Sequence, residues 1–263
     1  NLCKVKRGNA TATARREIRK QDLRNKRFVN SERVNYTNKT VFSQVNCAIN
    51  SLSDPDPETR YVALDFLEQN GLGFVTVTTD MINNLLLNME DVNNPFNQVL
   101  SLSVLIDLVT TFDIGSAMKM INGYLRVLKM LNCGNEEVVI NCLLFLETAI
   151  SEGDVLCDRI FNHRLLEYIK YMFDNFLGSQ DVIASLSEIL RLVLADHLMV
   201  KFEDILQTLW TIVVALLDFN DGAIQISSLM TITEILEARQ DLKNIFRTDD
   251  LSEAIFRLLE SSD

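Results

Sequence analysis

The chain has little of what turns or breaks a backbone: 3 prolines and 9 glycines in 263 residues. That excludes the turn-rich pattern of an all-β fold. It is equally short of the side chains that carry most enzyme chemistry. The 2 histidines, His163 and His197, stand in no recognisable motif with a cysteine or serine, so neither is assigned chemistry. No phosphate-loop, zinc-protease, nucleophile-elbow or dinucleotide glycine pattern occurs, so no catalytic or cofactor-binding residue is expected. The 5 cysteines (Cys3, Cys47, Cys133, Cys142 and Cys157) are odd in number and lack CxxC or Cys/His ligand spacing. Reduced thiols and no metal site follow. The apolar run IVVALL beside the single tryptophan falls far short of the ~18 residues that a membrane span needs, so no membrane partner is expected. No apolar stretch follows the basic N-terminus as a secretory signal would require.

What is present is repetition. Residues 209–238 read as an apolar helix, a polar turn at Asp218–Gly222 and a second apolar helix. First-helix endings like the one at Leu217 recur at Leu52, Met89, Leu131, Leu177 and Leu259, with successive gaps of 37, 42, 46, 40 and 42 residues. In the helices that follow, Phe66, Asp107, Thr148, Arg191 and Glu234 align with gaps of 41, 41, 43 and 43. A period in the low forties made only of helices predicts an all-α, right-handed α-solenoid of armadillo-like repeats. Each helix pair cannot bury its apolar face alone and must stack on its neighbours. Hydrophobic residues at 48% supply the core.

The expected helices are Val41–Leu52 with Glu58–Gln69, Asp80–Met89 with Phe96–Thr111, and Ala117–Leu131 with Glu136–Ser151. Arg164–Leu177 with Asp181–Ala195 and the 209–238 pair complete five repeats. A sixth is expected to be cut short after Leu251–Leu259. Leu72–Thr79 has β propensity but no partner strand, so it reads as a linker. Trp210 reads as core packing and Met81, Met118, Met120, Met172 and Met230 as core fillers.

Charge divides the chain. Residues 1–39 hold 12 Lys/Arg against 3 Asp/Glu, and residues 40–263 hold 13 against 33, giving +9 and −20. The anionic body repels nucleic acid and suits basic ligands, while the cationic arm suits an acidic partner. Residues 1–14 lack periodicity, and residues 15–33 carry good helix formers with few apolar residues, so the arm's order is expected to depend on a partner.

Within the arm, Arg15-Arg16, then Leu23-Arg24-Asn25-Lys26-Arg27, then Arg33-Val34-Asn35 stand ahead of the repeat array. That order resembles the importin-β-binding segment and body of the importin-α family of nuclear import adaptors. The segment Val45–Gly71 is similar to the family's first repeat. The arginine run is here reduced to two, Asn25 replaces a lysine, and the spacing to Asn35 is two residues short. The resemblance implies that Arg15, Arg16, Leu23, Arg24, Lys26, Arg27 and Arg33 engage importin-β, and that the second helices line a groove for basic cargo peptides. It also implies localisation to cytoplasm and nucleus.

In that family a Trp-x-x-x-Asn pattern on each second helix forms lysine slots and holds the ligand's backbone. Aligning SLSVLIDL, CLLFLETA, SLSEILRL and SLMTITEI places Ser103, Leu144, Ser187 and Met230 in the tryptophan slots and Asp107, Thr148, Arg191 and Glu234 in the asparagine slots. None of the eight keeps the family's residue. Asp107, Glu147, Glu188 and Glu234 nonetheless set a carboxylate on or near four successive second helices, and Arg191 opposes a purely acidic groove. Two readings follow: an import adaptor, or an armadillo/HEAT scaffold for an unrelated protein partner. Limited proteolysis is expected to remove residues before about Asn35 and leave the body intact, because little apolar surface in the arm is available for burial. An arm protected in the isolated protein at high salt would contradict this.

Overall fold

The computed structural model describes residues 38–72, 76–151, 159–195, 203–238 and 249–260. Residues 1–37 of the basic arm, including all of its named residues, and the histidine side chains lie outside the described residues. Those described form twelve helices and no strand. They fall into two compact units, one carrying the first seven helices and the other the last five.

In the first unit the helices are α1 (Asn38–Ser51), α2 (Pro57–Asn70), α3 (Thr79–Met89), α4 (Pro95–Thr111), α5 (Gly115–Met120), α6 (Gly123–Met130) and α7 (Glu136–Ser151). Neighbours in sequence pair as α1 with α2, α3 with α4 and α6 with α7. The second helices then pack on one another, α2 on α4 and α4 on α7. The core between the layers is leucine-rich: Leu64, Leu67, Leu85, Leu86, Leu102 and Leu105 are all fully enclosed. Tyr124 and Phe145 meet there with ring centroids 6.2 Å apart.

Helix starts follow from capping chemistry, since the first turn of a helix leaves N–H groups without partners. Asp56 accepts from the N–H groups of Glu58 (3.4 Å) and Thr59 (3.0 Å), with Pro57 at the first helical position. The Thr59 hydroxyl, which also donates to Asp56, and then these backbone bonds hold the Asp56 carboxyl below the usual aspartate range. Its contribution is therefore present at neutral pH and is lost as pH falls through the lowered value. Thr78 caps α3, and Asn135 caps α7 by accepting from Glu137 and Val138. Gly71 ends α2 at φ 70, where a side chain would be strained.

The third first helix differs from expectation. One helix over Ala117–Leu131 is broken into α5 and α6 by Asn122, which is left-handed at φ 52. Asparagine tolerates that conformation, and a run of good helix formers on either side conceals it. Two of the expected core methionines also sit outside: Met120 and Met230 are exposed, whereas Met81, Met118 and Met172 are buried.

Polar ties join one repeat to the next. Asn88 donates to the Leu52 carbonyl at 2.8 Å and Asn97 to the Pro57 carbonyl at 3.1 Å. Arg60 meets Asp91 at 2.7 Å. Arg126 grips Glu90 with two bonds of 2.7 and 2.6 Å and Asn83 with a third of 2.8 Å.

The second unit contains α8 (Arg159–Asn175), α9 (Gln180–Ala195), α10 (Glu203–Leu216), α11 (Gly222–Ala238) and α12 (Asp249–Glu260). Here α9 packs on α11, and α10 contacts α8, α9, α11 and α12. Trp210 is buried in this core as expected. Ser179 and Asp221 cap α9 and α11, and Gln180 donates to the Asp221 carboxylate across the repeat boundary.

Replacing Arg126 by alanine removes three bonds to a side chain only 16% exposed and leaves Glu90 without its fork. We expect a loss of about 2 kcal/mol, read as a lower urea midpoint at unchanged slope. A midpoint within error of wild type would show that the tie contributes nothing.

Candidate functional site

The N-cap positions give the second helices a common origin: Asp56, Asn135, Ser179 and Asp221 cap with their side chains, and Asn94 holds the same place without a side-chain capping bond. An α-helix advances 100° per residue, so positions 2, 5, 9 and 13 after the cap share one side. That side is the accessible one, except at position 5 of α9, where Ala184 is buried. Position 9 is Asp65, Ser103, Leu144, Glu188 and Met230, and position 13 is Gln69, Asp107, Thr148, Leu192 and Glu234. None of these ten side chains is buried.

Of the positions aligned from sequence, Ser103, Asp107, Leu144, Thr148, Met230 and Glu234 lie on this accessible side, whereas on α9 the alignment is one residue out of phase with the cap. Ser187 is only 3% exposed and donates to the Ala184 carbonyl at 2.8 Å. The slot belongs to Glu188, and the one below it to Leu192 rather than Arg191. The matching text SLS at residues 101–103 and 185–187 caused the slip, because the cap lies one residue closer to the second copy. Phe66, aligned with Asp107 from sequence, likewise yields that position to Gln69. Glu147 is only 7% exposed and does not belong to the open side.

Contacts between second helices fix their direction. Asn97 reaches Pro57 near the helix starts, and the Ser103 hydroxyl lies 3.5 Å from the Glu68 carboxylate farther along. The order is the same on both helices, so α2 and α4 run parallel. In the second unit Gln180 meets Asp221 and Ser227 donates to the Ser187 carbonyl at 3.2 Å, so α9 and α11 run parallel too.

These helices are strongly acidic. In the first unit they carry Glu58, Asp65, Glu68, Asp107, Glu136, Glu137 and Glu147 against Arg60. Arg60 is occupied by Asp91 and by the carbonyls of Asp54 and Pro55. In the second unit they carry Asp181, Glu188, Glu234 and Glu237 against Arg191, which is folded onto Glu188 at 2.6 Å. One oxygen of Glu234 is enclosed without a hydrogen-bond donor among the described residues. Arg191 therefore neutralises its neighbour and does not stand as a separate positive centre.

Sequence reasoning missed position 5, where Tyr61, Val99 and Ile140 form an apolar row across α2, α4 and α7, none of them buried. Counting from the caps, all legible as Asp, Asn or Ser before an apolar run, would have found it.

Other features offer little chemistry. A cleft of about 390 Å³ at the end of α4 is lined by residues 109–115, Tyr124 and Ala149. Its one acid, Asp113, already accepts from the Gly115 N–H, so no acid–base pair is poised there. Burial pushes the Cys142 thiol well above its ordinary range, leaving it protonated and a poor nucleophile. Among the described residues no group of His, Cys, Asp and Glu could hold a metal ion, and no helix is long and apolar enough to cross a membrane.

This architecture is an armadillo-like α-solenoid fold, all helix and built from stacked pairs. Solved structures similar to it include the following two. One is an engineered protein, with a TM-score of 0.56 and 15% identity over 82% of this chain and 95% of that one. The other is one of the computationally designed armadillo repeat proteins for modular peptide recognition, at 0.56 and 15% over 78% and 90%. No family model matches the chain, and no curated protein matches it.

The register carries a direct test. Ser187→Lys would bury a charge and is expected to cost about 3 kcal/mol or more. Met230→Lys, at a position 48% exposed, is expected to change stability by less than about 0.5 kcal/mol. Equal losses in thermal melts would refute the assignment.

Proposed function

We propose that this protein is a binding scaffold whose second helices take extended basic segments of other proteins. The observation that carries this reading is the charge of the open side. Asp65, Glu68 and Asp107 stand on neighbouring parallel helices, and Arg60, the one cation on those two helices, is paired with Asp91. Complementary charge favours a basic partner and repels acidic ones. An extended strand crossing parallel helices meets each in turn at the same positions, one of the general modes of peptide recognition. The designed armadillo proteins with a similar fold were made for peptide recognition, which supports the same kind of ligand here.

The more specific form of the proposal is a nuclear import adaptor moving between cytoplasm and nucleus. In it the arm, through Arg15, Arg16, Leu23, Arg24, Lys26, Arg27 and Arg33, engages importin-β while the acidic side holds cargo. Its support is the order of the arm motif and the repeat array in the sequence. The second reading, a scaffold for an unrelated protein partner, is favoured by positions 9 and 13, none of which holds the tryptophan or asparagine of the import family.

Alanine at Arg15, Arg16, Arg24, Lys26 and Arg27 together is expected to abolish importin-β binding and leave the helical melt unchanged. Lysine at Asp107, Glu188 and Glu234 is expected to weaken lysine-rich peptides about tenfold and spare importin-β. Glu147 is left intact because it is buried. An arm variant that binds importin-β as wild type does would discard the adaptor form and leave the scaffold. Unchanged peptide binding by the acidic-side variant would discard the basic-ligand reading.

A further inference from the structure

The open side of the first unit has two unlike edges. Toward the helix starts, Tyr61, Val99 and Ile140 lie at position 5 of α2, α4 and α7, and Phe96 stands one turn before Val99. Tyr61 is 37% exposed and Phe96 75%, although both are large and apolar. Toward the helix ends, the part-exposed Glu68 lies at position 12 of α2 and Asp107 at position 13 of α4, whereas Glu147 of α7 is buried. Between the edges, at position 9, are Asp65, Ser103 and Leu144. No lysine lies on these three helices.

At about 1.5 Å of rise per residue, the two edges are about 11 Å apart. An extended polypeptide crossing the helices along position 9 would have one edge on each side. In an extended chain successive side chains point in opposite directions. Every second side chain would therefore reach the apolar edge, and those between would reach the carboxylates.

We propose that the first unit selects extended segments in which basic and apolar residues alternate. This deepens the reading of the acidic side as a peptide site and rests on it. The apolar edge supplies burial for one set of side chains, and the acidic edge supplies complementary charge for the other. A segment with its basic residues in one block would send half of them onto Tyr61, Val99 and Ile140. That placement strips water from the charges without giving them partners.

The test uses three labelled octapeptides and the full 263-residue chain, with binding followed by fluorescence anisotropy. One peptide alternates lysine with leucine and valine. The second has the same composition in two blocks, and the third alternates lysine with glycine. The alternating apolar peptide is expected to bind about tenfold tighter than either of the others. Tyr61→Ser with Phe96→Ser, both at exposed positions, is expected to remove that advantage and leave the lysine–glycine peptide unchanged. Glu68→Gln with Asp107→Asn is expected to weaken both alternating lysine peptides. Equal binding of the alternating and block peptides would overturn the inference and leave the basic-ligand reading standing. So would an advantage that survives the loss of Tyr61 and Phe96. If no lysine peptide binds, the basic-ligand reading fails as well.

Discussion

Every helix here depends on burial that it cannot achieve alone. α4 is enclosed on three sides, by α3, α2 and α7, and only the fourth side is left to solvent. Its apolar residues are correspondingly continuous: Leu102, Val104, Leu105, Ile106 and Leu108 are all buried. A helix with so wide an apolar surface would not stand in water by itself. The exposed stripe is therefore the remainder after three packing demands have been met, and any function on it must use the few positions left over.

Those positions were partly legible in the sequence. The period, the pairing of helices and the acidic body followed from apolar spacing and charge, because both survive the replacement of individual residues. Phase did not follow. Ser101–Ser103 and Ser185–Ser187 read alike as text but sit one residue apart relative to their caps, and one residue is 100° of rotation. That is enough to carry Ser187 from the open side to the wall against α11, where Ser227 meets its carbonyl. The break at Asn122 was hidden for a different reason. A single left-handed residue changes direction without changing composition, and its neighbours still suit a helix.

The electrostatic pattern also gains meaning from packing. The sequence shows only an excess of acids over residues 40–263. In the structure the cations of the second helices are occupied, Arg60 by Asp91 and Arg191 by Glu188, and Arg126 of the first helices is held by Glu90. Positive charge is thus spent on joining repeats or on adjacent acids, and negative charge remains on the side facing solvent.

The capping residues that set the phase have a consequence for how such a chain can change length. Caps are separated by 38, 41, 44 and 42 residues, yet the open stripe keeps the same distance from each one. An insertion ahead of a cap only lengthens a turn or a first helix. The same insertion after the cap rotates the rest of the second helix, turning residues of the open stripe into the interior and core residues out to water. Drift in repeat length can thus accumulate on one side of each cap while the segment beyond it stays fixed, and gene-level indels in this architecture should be sorted accordingly.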